Sequence, residues 1–130
     1  FYSDFVVFGT GSYVRGKDTR ADMNLPQIPP LSGRLGLRYT HNRIGAAEIT
    51  LIGAAAQNKI AAGETETGGY ARLDLGLSST SISLGSVRLQ IFAGIDNITD
   101  RSYTSHLSTN RGSISVEPGR NIYLRMNLAF

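Results

Sequence analysis

The chain has 130 residues, a net charge of +3 and no cysteine, so neither a disulfide framework nor a thiolate metal site is open to it. Its arginines are spread along the sequence rather than gathered into the basic patch or stripe of a nucleic-acid binder, so nucleic acid is not expected as a partner. No run approaches the roughly 18 apolar residues of a transmembrane helix, but a transmembrane barrel needs apolar residues only at alternate positions.

The chain opens at Phe1 without a Met, and Phe1-Tyr2-Ser3-Asp4-Phe5-Val6-Val7-Phe8 already reads as strand. The expectation is a start inside a larger protein, with any signal peptide upstream. Asp4 to Val14 is the first predicted strand, and the pattern does not assign its facing. Beyond it, period-two alternation is the informative signal. In Leu31 to Thr40, Leu31, Gly33, Leu35, Leu37 and Tyr39 oppose Ser32, Arg34, Gly36, Arg38 and Thr40. A softer alternation runs from Ala47 to Ala56, with Ala47, Ile49, Leu51, Gly53 and Ala55 on one side. From Tyr70, Ala71, Leu73, Leu75 and Leu77 oppose Arg72, Asp74, Gly76 and Ser78. From Ser86, Val87, Leu89, Ile91, Ala93 and Ile95 oppose Arg88, Gln90, Phe92, Gly94 and Asp96. The last segment sets Ile122, Leu124, Met126, Leu128 and Phe130 against Asn121, Tyr123, Arg125, Asn127 and Ala129.

The apolar faces of these five strands carry no charge, whereas the opposite faces hold Arg34, Arg38, Glu48, Arg72, Asp74, Arg88, Asp96 and Arg125. A half-buried soluble sheet alternates too. Each strand, however, runs about 9–11 residues, the span of a tilted strand crossing a bilayer, against about 5–6 in soluble sheets. The connections also alternate. Arg15–Pro30, Gln57–Gly69 and Asp100–Gly119 are long, whereas Thr40–Ile44 and Ser79–Gly85 are short. Outer-membrane barrels have short periplasmic turns and long extracellular loops. On that basis Lys17–Pro30, Asn58–Gly68 and Arg101–Gly119 face the cell exterior, and Phe130 ends at the periplasmic rim. The expected fold is all-β: six long antiparallel strands forming the C-terminal part of a transmembrane barrel. Six strands do not close a barrel, whose smallest single-chain form has about 8, so further strands are expected elsewhere in the protein.

The segment Val87-Arg88-Leu89-Gln90-Ile91-Phe92-Ala93-Gly94-Ile95 followed by Asp96-Asn97-Ile98-Thr99-Asp100 and Tyr103 resembles the penultimate strand of TonB-dependent outer-membrane receptors. There an apolar strand leads into an Asn-Leu-Phe-Asp-like motif and a Tyr; here Ile98 and Thr99 replace the commoner Leu and Phe. Glu117-Pro118-Gly119-Arg120-Asn121 and the run to Phe130 look like the family's closing motif. Tyr13-Val14-Arg15-Gly16 and Leu25-Pro26-Gln27-Ile28-Pro29-Pro30 resemble a loop before a late barrel strand. The resemblance implies a 22-stranded barrel plugged by an N-terminal domain. It implies uptake of a scarce nutrient, a metal chelate such as a ferric siderophore foremost, energised by the TonB complex through a segment outside this sequence. A passive porin-like channel and a soluble β-sandwich binding module are the alternatives.

In the resemblance-based reading Arg101, Tyr103, His106 and Arg111 are the extracellular-loop ligand candidates. A lone His106 without nearby Cys or carboxylate makes a poor metal site, and no metal or cofactor is expected. His41, in a short turn, reads as solvated. The charged face reads as lumen-facing, its arginines laddering with Glu48, Asp74 and Asp96 or meeting the plug, so Arg72→Ala should cost little. Tyr39, Arg120 and Phe130 are the membrane-interface candidates. Arg120 shares the parity of Phe130 and sits about 26 Å above it, just past an apolar band of about 25 Å, where lipopolysaccharide phosphates would meet it. Expected partners are therefore outer-membrane lipid and lipopolysaccharide, together with the remaining strands and the plug. No nucleophile, histidine and acid stand at a recognisable spacing, so no enzyme is expected.

Overall fold

The computed structural model describes residues 3–112 and 114–130. In chain order the elements are β1 (Ser3–Ser12), β2 (Lys17–Asp18), β3 (Met23–Asn24), β4 (Ser32–His41), β5 (Gly45–Ala54), β6 (Tyr70–Ser79), β7 (Ile82–Leu84), β8 (Val87–Asp96), α1 (His106–Gly112) and β9 (Asn121–Ala129). Strands β1, β4, β5, β6, β8 and β9 are the six long ones, each antiparallel to the next, and β7 adds to β8. The first predicted strand, Asp4 to Val14, is β1, which ends at Ser12; Phe1 and Tyr2, which open the run read as strand, lie outside the described residues.

The register confirms the two faces read from the alternation. Leu37 stands opposite Ile49, Ile49 opposite Leu75, and Leu75 opposite Ile95, which faces Ile122. On the other face Arg38 meets Glu48, Thr50 meets Asp74, and Phe92 meets Arg125. Pairing also assigns β1. Phe5 and Val7 lie opposite Tyr39 and Leu37 on the apolar face, and Val6 and Phe8 join the charged face. Gly36 makes this possible, because a Cβ there would run into the Phe8 ring.

The sheet is a single layer. Among the described residues no hydrophobic side chain is buried. Leu35 is 57% exposed and Leu124 67%. A two-layer sandwich would bury such a face against a second sheet; the other sheet here is only the two-stranded β2–β3 hairpin, and the apolar face stays exposed. Among the described residues no helix is long and apolar enough to cross a membrane, which says nothing about crossing by strands.

The connections alternate as expected, with two differences. The stretch Ser79 to Gly85 is not simply a connection, because β6 resumes as β7 and turns at Gly85-Ser86. Ser78 pairs with Phe92 but Ile82 with Leu89, so three residues on one strand oppose two on the other, a β-bulge. Ser79 closes it: its Oγ accepts the Ile91 N–H at 2.9 Å. The extra residue shifts parity, so even-numbered Ile82 and Leu84 stay on the face of Leu75 and Leu77. The second difference is α1, a short helix inside the longest loop. Strand β5 begins two residues earlier than its alternation suggests. It starts at Gly45, whose φ of 136° and close approach to the Ser78 carbonyl leave no room for a side chain.

Candidate functional site: the interlocked loops and the charged face

On the charged face Arg38 donates from Nε and Nη2 to Glu48 Oε2 at 2.8 and 2.6 Å, while Arg34 Nη2 lies 3.7 Å from Oε1. Arg34 also stands over the Phe8 ring, 5.2 Å from its centroid. Arg72 pairs with Asp74 at 3.1 Å. These contacts form part of the predicted ladder. Arg88 and Arg125 make no ion pair among the described residues, and Asp96 takes a hydrogen bond from Asn121 instead. Exposed pairs such as Arg38–Glu48 contribute about 0–1 kcal/mol each, so they orient charge more than they hold the sheet.

Arg72 differs from the other arginines, and its predicted dispensability needs correcting. It is half-buried, and its Nη1 donates to the Tyr103 hydroxyl at 2.9 Å while Nη2 holds Asp74. The Tyr103 ring stacks on Tyr70 with centroids 4.4 Å apart. Arg72 thus ties the longest loop to β6. Removing it would leave the Tyr103 hydroxyl without this donor and Asp74 with only the Asn97 N–H, a loss of about 1.5–3 kcal/mol for hydrogen bonds to charged groups.

The Asn97-Ile98-Thr99-Asp100 motif acts as a knot. Asn97 is 1% exposed with φ 53°, a left-handed conformation that Asn tolerates better than most residues. Its backbone N–H donates to Asp74 Oδ1 at 2.8 Å. Its side chain donates to the Arg101 carbonyl at 2.8 Å and accepts the Arg101 N–H at 3.0 Å. Asp100, also left-handed, accepts the Arg120 N–H through Oδ1 at 2.7 Å. The motif therefore fastens the end of β8 to β6 and to the start of β9. The strand alternation carries no sign of this role.

The three long loops interlock at the same end. Gln27 donates its N–H to Glu64 Oε1 at 2.6 Å, and Gln57 Nε2 donates to the Ile28 carbonyl at 2.8 Å. Asn110 accepts the Thr65 N–H at 2.9 Å through its side-chain oxygen, and Arg111 Nε donates to Gln27 Oε1 at 3.0 Å. The N–H groups of Ala61 and Gln27 hold the Glu64 carboxyl below the usual carboxylate value of 4.5.

These contacts sort the ligand candidates. His106 is not at an open loop surface: it is 3% exposed, with Nδ1 3.1 Å from Thr67 Oγ1 and 3.2 Å from Asn110 Nδ2. Tyr103 is half-buried under Arg72, and Arg111 is exposed but engaged by Gln27. Arg101 is exposed, its backbone alone held by Asn97. The four are thus not gathered at one open surface. Among the described residues no three metal-ligating side chains assemble. His41 is half-buried at the end of β4 rather than simply solvated, and its Nδ1 accepts the Arg43 N–H at 3.3 Å. Tyr39 packs on Phe5 with centroids 4.9 Å apart, whereas Arg120 and Phe130 are exposed. Gln27, Glu64, Thr67 and Asn110, which do most of the interlocking, stand in loops whose polar residues follow no period. The sequence reading missed them for that reason.

No family model and no curated protein sequence matches the chain. Among solved structures it is similar to a copper transporter, OprC, at 27% identity and a TM-score of 0.80. The match covers 94% of this chain and 20% of that one, so the chain spans about one fifth of the transporter's length. OprC is a TonB-dependent outer-membrane transporter, and the matched part belongs to its barrel. The long-stranded single layer, the uncharged face and this match agree: the sheet matches a segment of a TonB-dependent outer-membrane transporter barrel.

Proposed function

We propose that the protein containing this segment is an outer-membrane active importer of a scarce metal-bound nutrient. The observation that carries the reading is a single-layer sheet of transporter-barrel geometry whose apolar face has no covering layer among the described residues. Lipid is the cover that such a face needs, and the charged face then lines the lumen. The segment is the C-terminal part of the barrel, and the long loops face outward. Arg88 and Arg125, without ion partners among the described residues, face the plug or the passing solute. Energy comes from the TonB complex through a part of the protein outside this segment. The protein transports and does not catalyse.

The nutrient is a metal in bound form, either a chelate such as a ferric siderophore or copper itself, the cargo named for the similar transporter. The segment's own contribution to binding is the interlocked loop cap, with Arg101 among its exposed cationic side chains. The test is growth of a strain lacking the protein on single sources of ferric siderophore, copper, cobalamin or glycan, with and without functional TonB. Restoration of growth on one metal source by the full-length protein, only in the presence of TonB, is the expected result. Uptake of many small solutes without TonB would favour a passive porin-like channel and overturn the proposal.

A further inference from the structure

The charged face carries a hollow of about 570 Å³. Strand pairing fixes its position. Arg38, Glu48 and Gly76 stand in one row across β4, β5 and β6, and the row continues through Gly94 to Tyr123. The next row is Thr40, Ala46, Ser78, Phe92 and Arg125. It is the charged-face row nearest the short turn at 42–44, away from the long loops. Gly76 and Gly94 keep the floor low. A Cβ on Gly94 would collide with the ring and hydroxyl of Tyr123, and one on Gly76 would touch the same hydroxyl.

The groups around the hollow differ in what they already hold. Glu48 is spent: Oε2 accepts from Arg38, and Oε1 accepts from the Thr50 hydroxyl and lies near Arg34. Arg125 and the hydroxyls of Tyr123, Ser78 and Thr40 make no side-chain hydrogen bond or ion pair among the described residues. The hollow thus offers one uncompensated cation and three unengaged hydroxyls beside the half-buried Phe92 ring. A carboxylate on a short aliphatic stem is the complement. Its two oxygens match the parallel N–H groups of a guanidinium, a tyrosine hydroxyl can donate to one of them, and the stem lies against the ring.

We propose that this hollow receives the carboxylate of an Asp or Glu from the part of the same protein that fills the lumen, with Arg125 as ionic partner and Tyr123 as hydrogen-bond donor. The inference rests on the lumen facing proposed above. A fixed side chain fits better than a travelling anion. The hollow lies at the far end from the loop cap, and a cation, hydroxyls and an aromatic wall together make a grip, whereas a transport path must release what it binds.

The test uses the full-length protein in washed outer membranes. R125K keeps the positive charge and puts a primary amine in the hollow. A carbodiimide activates a touching carboxylate and leaves as its urea when the amine forms the amide, and mass spectrometry of the digest reads the joined peptides. The expected result is a link from position 125 to an Asp or Glu outside residues 1–130, lost when that acid is changed to its amide. R20K carries the same amine at the exposed tip of the β2–β3 hairpin and should give no such link. No link from R125K, or one only to Glu48 or Asp96, would overturn the proposal while leaving the transporter reading intact. Recovery of the protein outside the outer-membrane fraction would overturn both.

Discussion

Asn97 offers the sharpest test of how the segment is held together. Replacing it with Ala removes the two side-chain hydrogen bonds to the Arg101 backbone and leaves that N–H and C=O without partners. Each lost bond costs about 1 kcal/mol net, and more where the stranded group is shielded from water. Alanine must also hold the left-handed backbone at φ 53°, at a cost of about 1–2 kcal/mol. Asn97→Ala should therefore destabilise the barrel by about 2–4 kcal/mol. Asn97→Gly loses the same bonds without the backbone strain and should recover about 1 kcal/mol of that loss. Asn127→Ala, an exposed change on β9, should stay within about 0.5 kcal/mol of the parent. Reversible urea unfolding of the intact barrel in lipid vesicles measures all three. The knot is refuted if the Ala and Gly variants are equally unstable, or if both match Asn127→Ala.

Leu75→Arg, on the apolar face, should cost about 2–4 kcal/mol if it lies near the bilayer midplane, while Arg72→Ala should cost about 1.5–3 kcal/mol by taking the guanidinium from Asp74 and Tyr103. The two separate by readout, since protease sensitivity of the 97–120 loop should rise only in Arg72→Ala. Gly36→Ala should destabilise by about 1–3 kcal/mol because its methyl meets the Phe8 ring, and Phe8→Ala in the same chain should remove most of that penalty. Additive losses in the double variant would show that the ring is not the obstacle. The lowered Glu64 carboxyl stabilises the loop cap at neutral pH, where it is ionised in both folded and unfolded chains. That contribution should fade as pH falls below 4.5 through the lowered folded value, seen as lower amide protection, relative to the intrinsic exchange rate at each pH, at Gln27 and Ala61. Protection that is flat across this range, or that rises on acidification, would contradict the assignment.

Strand existence, facing and length were legible in the residues because a strand's side chains alternate strictly. Each Leu or Ile at an odd position from 35 to 95 reports the same face without knowledge of its neighbours. The rhythm of long and short connections was legible too, since the strands bracket them. Three things were not. The facing of β1 was ambiguous because Phe5 to Phe8 are apolar at every position, and only pairing with β4 told the two sides apart. The bulge at Ser79 was hidden because a one-residue parity shift looks like the end of a strand until its partner is known. The loop residues left no trace because hydrogen bonds between segments, such as Asn110 to Thr65, depend on which loops stand together. The sequence by itself thus determined a long-stranded sheet with one uncharged face, since that information is local and periodic. Only the tertiary structure decided that His106 is buried, that Arg72 is a tether and that Asn97 is a knot. Those roles arise from neighbours far away in the chain, which no period encodes.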